Sequence, residues 1–336
     1  MKFGFLYNFR NSPRFFKEWP RLYAEGFEHM RVAESLGFDS VWVPEHHLSE
    51  DGYNPAPLPL LASIAMKTTR VTIGTSVLLL PLHHPVQVAE EAAVVDNLSN
   101  GRLILGLGLG FRIAEFEGYG IDRHTRGART EEGVEIIRRC WTEKSFSFSG
   151  KYFQLKNVTA SPKPLQKPHP PIVLAARGPK AAQRAARMGL SVMPTGLDVG
   201  EVYQEYARAL AQRGLSPRQF EVSGIRRVFV SHDPDKDWEE LKEYVMEESR
   251  PNRLWYFEAK DNKCDLTPLM AEPDAVKDRE DFIIGEPDYC VRKLKEYAKL
   301  GGMNHIILFA TFTGLKPEKA LASMELFAKK VMPQLR

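Results

Sequence analysis

Long hydrophobic runs are missing from this chain of 336 residues. No apolar stretch approaches the ~18 residues that a membrane-spanning helix needs, so none of it is expected to cross a bilayer. Cysteine is scarce: Cys140, Cys264 and Cys290 are an odd set without metal-ligand spacing, which argues for buried or incidental thiols and against a disulfide framework. Net charge is almost absent, with 46 Lys and Arg against 43 Asp and Glu leaving +3, too slight and too dispersed for a nucleic-acid surface. The opening MKFGFLYNF lacks the charged, apolar and small-residue zones of a signal peptide, so a cytoplasmic location is expected. No His-x-x-x-His pair occurs, and no complete G-x-G-x-x-G with which the chain could hold its own NAD(P)H.

What is present is a chain of ordinary globular composition, 43% hydrophobic and 26% charged. Its organising stretch is 70–110, RVTIGTSVLLLPLHHPVQVAEEAAVVDNLSNGRLILGLGLG, which reads as strand, His-rich loop, helix, Asn-Gly turn and strand. The second strand, 103–109, is apolar without alternation, the pattern of a parallel strand covered on both faces. Further strands are expected at 2–7, 38–43, 172–175, 190–193, 221–231 and 305–310, alternating with helices. A hairpin is expected at 145–158, a Pro-rich excursion to 170, and a break in the pattern at 249–283 long enough to be a lid insertion. Eight strand signals alternating with helices predict one α/β domain, a single (β/α)8 TIM barrel over 1–336, with insertions after the strand 4 helix and after strand 7.

In such a barrel the site is assembled at the carboxyl ends of the strands. Two His-containing loops lie there: Glu45-His46-His47 after the second strand and His83-His84 after the third. Four His and a carboxylate suggest a metal at first sight, but adjacent His pairs rarely direct both rings to one ion, and no metal is expected. The alternative is that His46 moves protons near neutral pH, with Glu45 tuning or orienting a bound ring; the bland reading is that these groups cap loops. Gly106-x-Gly108-x-Gly110 would let a flat ligand lie against the backbone, or marks close packing. Ala175-Ala176-Arg177-Gly178-Pro179-Lys180 is a strand-to-helix turn suited to a phosphate, or a solvated basic stretch. Phe5, Tyr7, Trp42, Phe111, Trp255, Tyr256 and Phe257 form either an apolar pocket or core.

Together these residues resemble the bacterial luciferase-like family of flavin-dependent monooxygenases. The resemblance rests on EHH at 45–47, GTSVLLLPLHHPVQVAEE at 74–91, DNLSNGRLILGLGLGF at 96–111, GYGID at 118–122, Arg129, and PPIVLAARGPKAAQRAARMG at 170–189. It implies that His46 is catalytic beside the flavin and that Glu45 neighbours the ring. It places Ser76 and Val77 at a non-prolyl cis peptide under the isoalloxazine, Gly108 facing the ring, and Arg129, Ala175, Arg177 and Gly178 around the FMN phosphate. Leu109 and Gly178 depart from the family pattern, a basic and a hydroxyl residue being usual there, so tight FMN retention is not implied. Backbone N–H groups and Lys180 would have to make up the difference.

The resemblance implies an FMNH2-dependent two-component monooxygenase. It would insert one oxygen of O2 into a small organic substrate through a flavin C4a-(hydro)peroxide, with a separate NAD(P)H:flavin reductase and a homodimeric assembly through the helices after the second and third strands. Its rivals are a deazaflavin-dependent hydride-transfer oxidoreductase of the same superfamily and a non-catalytic flavin-binding protein.

Overall fold

A strand covered on both faces sends alternate side chains into two different cores, and this chain builds both. The computed structural model describes residues 1–196, 198–258, 273–277 and 282–336, those at 251–253, 256–258 and 275 by backbone only. Its strands are β1 (Lys2–Leu6), β2 (Ser40–Val43), β3 (Thr72–Thr75), β4 (Leu78–Leu79), β5 (Leu103–Gly108), β6 (Phe146–Ser149), β7 (Gln154–Val158), β8 (Ile172–Ala176), β9 (Ser191–Pro194), β10 (Ser223–Val230), β11 (Phe282–Gly285) and β12 (His305–Phe309). The sheet runs β10-β12-β1-β2-β3-β5-β8-β9, every pair parallel, and the bridge Val192↔Val222 joins β9 back to β10. All eight expected barrel strands are found. The short β4 extends the edge of β5, β11 pairs with the end of β10, and β6 and β7 form a separate antiparallel hairpin.

The helices are α1 (Trp19–Ser35), α2 (Pro57–Ala65), α3 (Pro85–Leu98), α4 (Ile113–Gly118), α5 (Arg126–Thr142), α6 (Pro179–Arg187), α7 (Val199–Ala211), α8 (Pro234–Glu258), α9 (Pro273–Lys277), α10 (Pro287–Leu300) and α11 (Pro317–Leu326). The main core lies between helices and sheet and takes in Phe3, Phe5, Val41, Ile73, Leu105, Leu174 and Ile306. A second core fills the barrel itself with Leu6, Trp42, Ile104, Val173, Met193, Ile307 and Phe309. Asn100 and Gly101 end α3 at positive φ, and Arg102 then donates to Ser99 O, Thr68 Oγ1, Val71 O, Ala65 O and Thr68 O. Those bonds satisfy carbonyls that the end of α2 leaves open.

Two expectations about boundaries change. The start of 70–110 was expected to be one strand; a cis peptide between Ser76 and Val77 divides it into β3 and β4. The pattern was expected to break at 249, yet α8 continues to Glu258 in spite of Pro251. Its continuation is anchored by Glu248, a wholly buried carboxylate that accepts from Asn8, Arg10 and Thr313. Of the 249–283 stretch, therefore, 249–258 is helix, 273–277 is α9 and 282–283 lies in β11; the remainder, Cys264 included, lies outside the described residues. Cys140 and Cys290 are buried, and burial pushes their thiols up to about 11 and about 12. Among the described residues no helix is long and apolar enough to cross a membrane.

At the amino end of the barrel Trp42 sits between glycines. Gly74 is its in-register neighbour on β3, and Gly4 lies on β1 opposite Ser40. A Cβ at Gly74 would lie 2.4 Å from Trp42 Cζ3, and one at Gly4 2.7 Å from Nε1. The indole N–H donates to Ser40 Oγ (2.6 Å), Ser40 is bonded to His305 Nε2 (2.8 Å), and His305 Nδ1 to Glu221 (2.9 Å). Burial alone would raise the Glu221 carboxyl, but His305 and Lys2 hold it down at about 2. Gly74→Ala is expected to cost about 1–3 kcal/mol by overpacking against Trp42. Urea unfolding measures it; unchanged stability would mean that the indole shifts freely.

Candidate active site

Pro44 closes β2, and the loop that follows is fixed before any side chain is considered. His46 N donates to Asn54 O (3.1 Å), and Asn54 Nδ2 donates to Pro44 O (2.6 Å). Successive side chains of this loop then take different directions. The Glu45 carboxylate is buried, its Oε1 2.8 Å from His47 Nε2 and 2.6 Å from His83 Nε2, while Oε2 accepts from Leu79 N (2.5 Å). One carboxylate thereby ties the loop after β2 to the chain around β4. Burial would raise its pKa, and the two imidazoles instead hold it at about 2; in return Glu45 raises His83 against the opposing effect of burial. Tyr119 Oη bonds to the other nitrogen of His47 (2.8 Å).

Among the described residues Glu45, His47 and His83 form a group that could hold a metal ion. Their direct separations of 2.6 and 2.8 Å are those of hydrogen bonds. Two ligands on a tetrahedral zinc at ~2.1 Å would stand roughly 3.4 Å apart. The three side chains satisfy one another as they are.

His46 faces the barrel mouth. Its Nδ1 is 2.8 Å from Glu115 Oε1, and the same oxygen accepts from His47 N (2.9 Å). Glu115 lies in α4 and is wholly buried. With Nδ1–H donated to that carboxylate, Nε2 is the nitrogen left to accept or deliver a proton. The ring is walled by Tyr53, Trp255 and Phe111 at centroid distances of 4.7, 5.1 and 5.7 Å. Trp255 belongs to the continued part of α8 and is covered by the Arg112 guanidinium, 4.3 Å above its ring. Arg112 also donates to His47 O and to Leu48 O, the latter at 2.9 Å, so α4, α8 and the β2 loop meet over His46.

The Ser76–Val77 peptide is cis, as the family resemblance implies. Gly106 and Gly108 face it: a Cβ at Gly106 would meet Thr75 O at 2.0 Å, and one at Gly108 would meet Val77 Cγ2 at 2.4 Å. Close strand approach therefore suffices to require both glycines. At the β8–α6 turn Gly178 adopts φ 104°, which explains why no hydroxyl residue stands there; a side chain would have room but the wrong backbone. Arg177 is exposed and leans toward Gly196, whose Cβ would lie 3.6 Å from its Nε. Arg129 donates to Pro81 O (3.3 Å) and lies over Phe153. Ala175 is half-buried at the end of β8.

Of the expected pocket aromatics, Phe111 and Trp255 flank His46, whereas Phe5, Tyr7 and Trp42 are core. The side chains of Tyr256 and Phe257 lie outside the described residues. Residues that sequence reasoning passed over are Glu115, Tyr53, Arg112 and Glu248. None carried a local signal, since each acts through a partner distant in sequence.

The parallel barrel carries at its carboxyl end a His oriented by a carboxylate in an aromatic setting, a cis peptide beside paired glycines, and a strand-to-helix turn with Gly178 at positive φ; the relatives below are oxidoreductases of the flavin and deazaflavin class. The chain belongs to the luciferase-like monooxygenase family, whose model matches residues 1–304. It is 29% identical, over 93% of this chain and 90% of the other, to the oxygenase component of a flavin-dependent trigonelline monooxygenase of Acinetobacter baylyi. It is 30% identical, over 92% of this chain and 93% of the other, to an F420-dependent glucose-6-phosphate dehydrogenase of Amycolatopsis mediterranei. The monooxygenase RslO1 of Streptomyces bottropensis superposes with a TM-score of 0.86 at 27% identity, all of both chains being covered.

The clamp has a defined pH dependence. Glu45 is depressed from 4.5 to about 2, so its contribution is complete above 4.5 and is lost as pH falls toward about 2. His83 is raised from 6.5, so its contribution is complete below 6.5 and is lost as pH rises through its folded value. Both act fully only between these limits. Glu45→Gln is expected to cost on the order of 3–4 kcal/mol there, the loss typical of removing one partner of a buried charged network. The difference from the parent protein, followed by urea unfolding across pH, should narrow on either side of that window, and a constant difference from pH 3 to 9 would refute the linkage.

Proposed function

We propose that this protein is the oxygenase component of a two-component monooxygenase, which takes reduced FMN from a separate NAD(P)H:flavin reductase and transfers one atom of O2 to a small organic substrate. The observation that carries the reading is the His46–Glu115 pair at 2.8 Å inside a wall of three aromatic rings. Such a wall keeps water from the reacting centre, where it would divert activated oxygen. The similarity to an oxygenase component over nearly the whole chain supports the same reading.

The residues present fit FMN. Val77 and Gly108 provide a smooth surface for the ring, and the opening of α6 with Gly178, Arg177 and Arg129 provides N–H groups and positive charge for the phosphate. When bound, reduced FMN supplies the two electrons with which O2 is split between substrate and water. In this reading His46 holds or moves a proton at Nε2, Glu115 holds the ring in that tautomer, and Trp255 and Phe111 exclude solvent. A homodimer through α2 and α3 would cover Met66, Val94 and Leu98, which are exposed. A second reading, hydride transfer with a deazaflavin, is favoured by the similarity to the F420-dependent dehydrogenase.

Anaerobic titration with reduced FMN and with reduced F420 separates the two. Saturable binding of reduced FMN is expected, followed by incorporation of one label from 18O2 into substrate, with trigonelline as the first probe because it is the compound in the A. baylyi relative's name. His46→Ala should lower kcat about 10²–10⁴-fold while leaving reduced-FMN affinity within a few-fold. Preferential binding of F420 with hydride transfer and no O2 uptake would replace this reading with the second.

A further inference from the structure

One short helix carries both the group that orients His46 and a group that covers its surroundings. Glu115 lies in the first turn of α4 and takes His46 Nδ1 at 2.8 Å, while Arg112 caps the start of the same helix. The Arg112 guanidinium donates to two successive carbonyls, those of His47 and Leu48, the second at 2.9 Å from Nη2. Leu48 adopts φ 54° at this turn, a conformation that leucine rarely takes. On its other side the guanidinium meets the Trp255 indole, with Cζ 4.3 Å from the ring centre.

The unfilled atoms show what sets this position. Arg112 Nε and Glu115 Oε2 are both buried, and neither has a hydrogen-bond partner among the described residues. A guanidinium placed by charge alone would turn to the carboxylate three residues along its own helix, since such pairs lie within reach. Arg112 instead stays on an indole and two carbonyls, using both its planar face and its N–H edge. Trp255 in turn is 7% exposed and stands 5.1 Å from His46 and 6.2 Å from Tyr53. It lies about two helical turns beyond Glu248, where α8 is anchored. The indole is thus held through its helix and, on its face, by Arg112.

Resting on the functional reading above, we propose that Arg112 is a positioning residue, which clamps the Trp255 indole over His46 and so keeps water from the place where reduced flavin meets O2. It acts through Trp255.

Carbethoxylation by diethyl pyrocarbonate, followed residue by residue on the full chain by mass spectrometry, measures how far the clamp closes the site. The reagent needs a reachable, unbonded imidazole nitrogen, and in His46 that is Nε2. Arg112→Met keeps the stem and removes the fork. It should raise the rate at His46 about five-fold or more relative to exposed His84, with buried His29 and His305 as slow as in the parent protein. Trp255→Ala should give a similar rise, and Arg112→Met should add less than about two-fold on top of it, because residues that act as one unit are not additive. An unchanged His46 rate in Arg112→Met, or effects that multiply in the double variant, would overturn the clamp. Should Arg112→Met also speed His29 and His305, Arg112→Lys decides, since it keeps the charge and loses the fork: a rise confined to His46 supports the clamp, and no rise refutes it.

A second readout uses the flavin. Photoreduced FMN mixed with air should give FMN and H2O2 more slowly on the wild-type protein than free in solution, and Arg112→Met should remove about half or more of that protection. Full protection in Arg112→Met would overturn the water-excluding role. If the wild-type protein gives no protection, the oxygenase reading fails while the labelling of His46 still decides the clamp.

Discussion

A single buried carboxylate, that of Glu45, holds the catalytic end of this barrel in register. An ionised carboxylate in such a place costs several kcal/mol unless its oxygens are filled. Here they are filled by His47, His83 and the amide of Leu79, which come from two successive strand-end loops. The direction of His46 follows from this. With the residues on either side turned inward and bonded, the intervening imidazole is left facing the mouth, where Glu115 sets its tautomer. Glu45 is therefore spent on architecture.

The two ends of the barrel solve opposite problems. At the amino end the chain Trp42–Ser40–His305–Glu221 runs between polar groups that already have partners, and Trp42 fills the space that Gly4 and Gly74 leave. The carboxyl end assembles its polar groups across distant segments, β1 and β12 loops with α8 through Glu248, and the β2 loop with α4 through Glu115 and Arg112. Those contacts set the position of Trp255. The wall beside His46 is therefore tied to the ends of β1 and β12, so a substrate contact at that rim and the seclusion of His46 are mechanically connected.

Much of the fold was legible because its signal is local. Apolar runs such as LILGLG and IVLAA, closed by Gly, Pro or an Asn-Gly turn, are read one segment at a time, and their alternation with helices leaves few arrangements. The position of His46 was legible for the same reason, since strand ends in a barrel converge. What could not be read were partners. Glu115 stands in FRIAEFEG like any acidic residue of a short helix, and Glu248 stands beside Glu247 with nothing to say which is buried. The partners of Glu45 were equally hidden: beside His46 it suggests tuning of a bound ring, and only the tertiary structure brings its carboxylate within 2.6–2.8 Å of His47 and His83. The end of α8 was misplaced because Pro251 is a strong local stop, and a buried ion pair three residues earlier is a stronger tertiary one.

A His whose Nδ1 is held by a buried carboxylate can serve a hydride transfer as well as an oxygen transfer, because both need one proton at one nitrogen. The scaffold that positions it, Glu45 with its imidazoles and the cis peptide beside Gly108, is likewise indifferent to which flavin lies above. Discrimination must come from groups that touch only the substrate or only the solvent. In this chain the aromatic rings of Tyr53, Trp255 and Phe111 around His46 are placed to be such groups. Similarity over nearly the whole chain to both an oxygenase component and a dehydrogenase is in keeping with a shared scaffold.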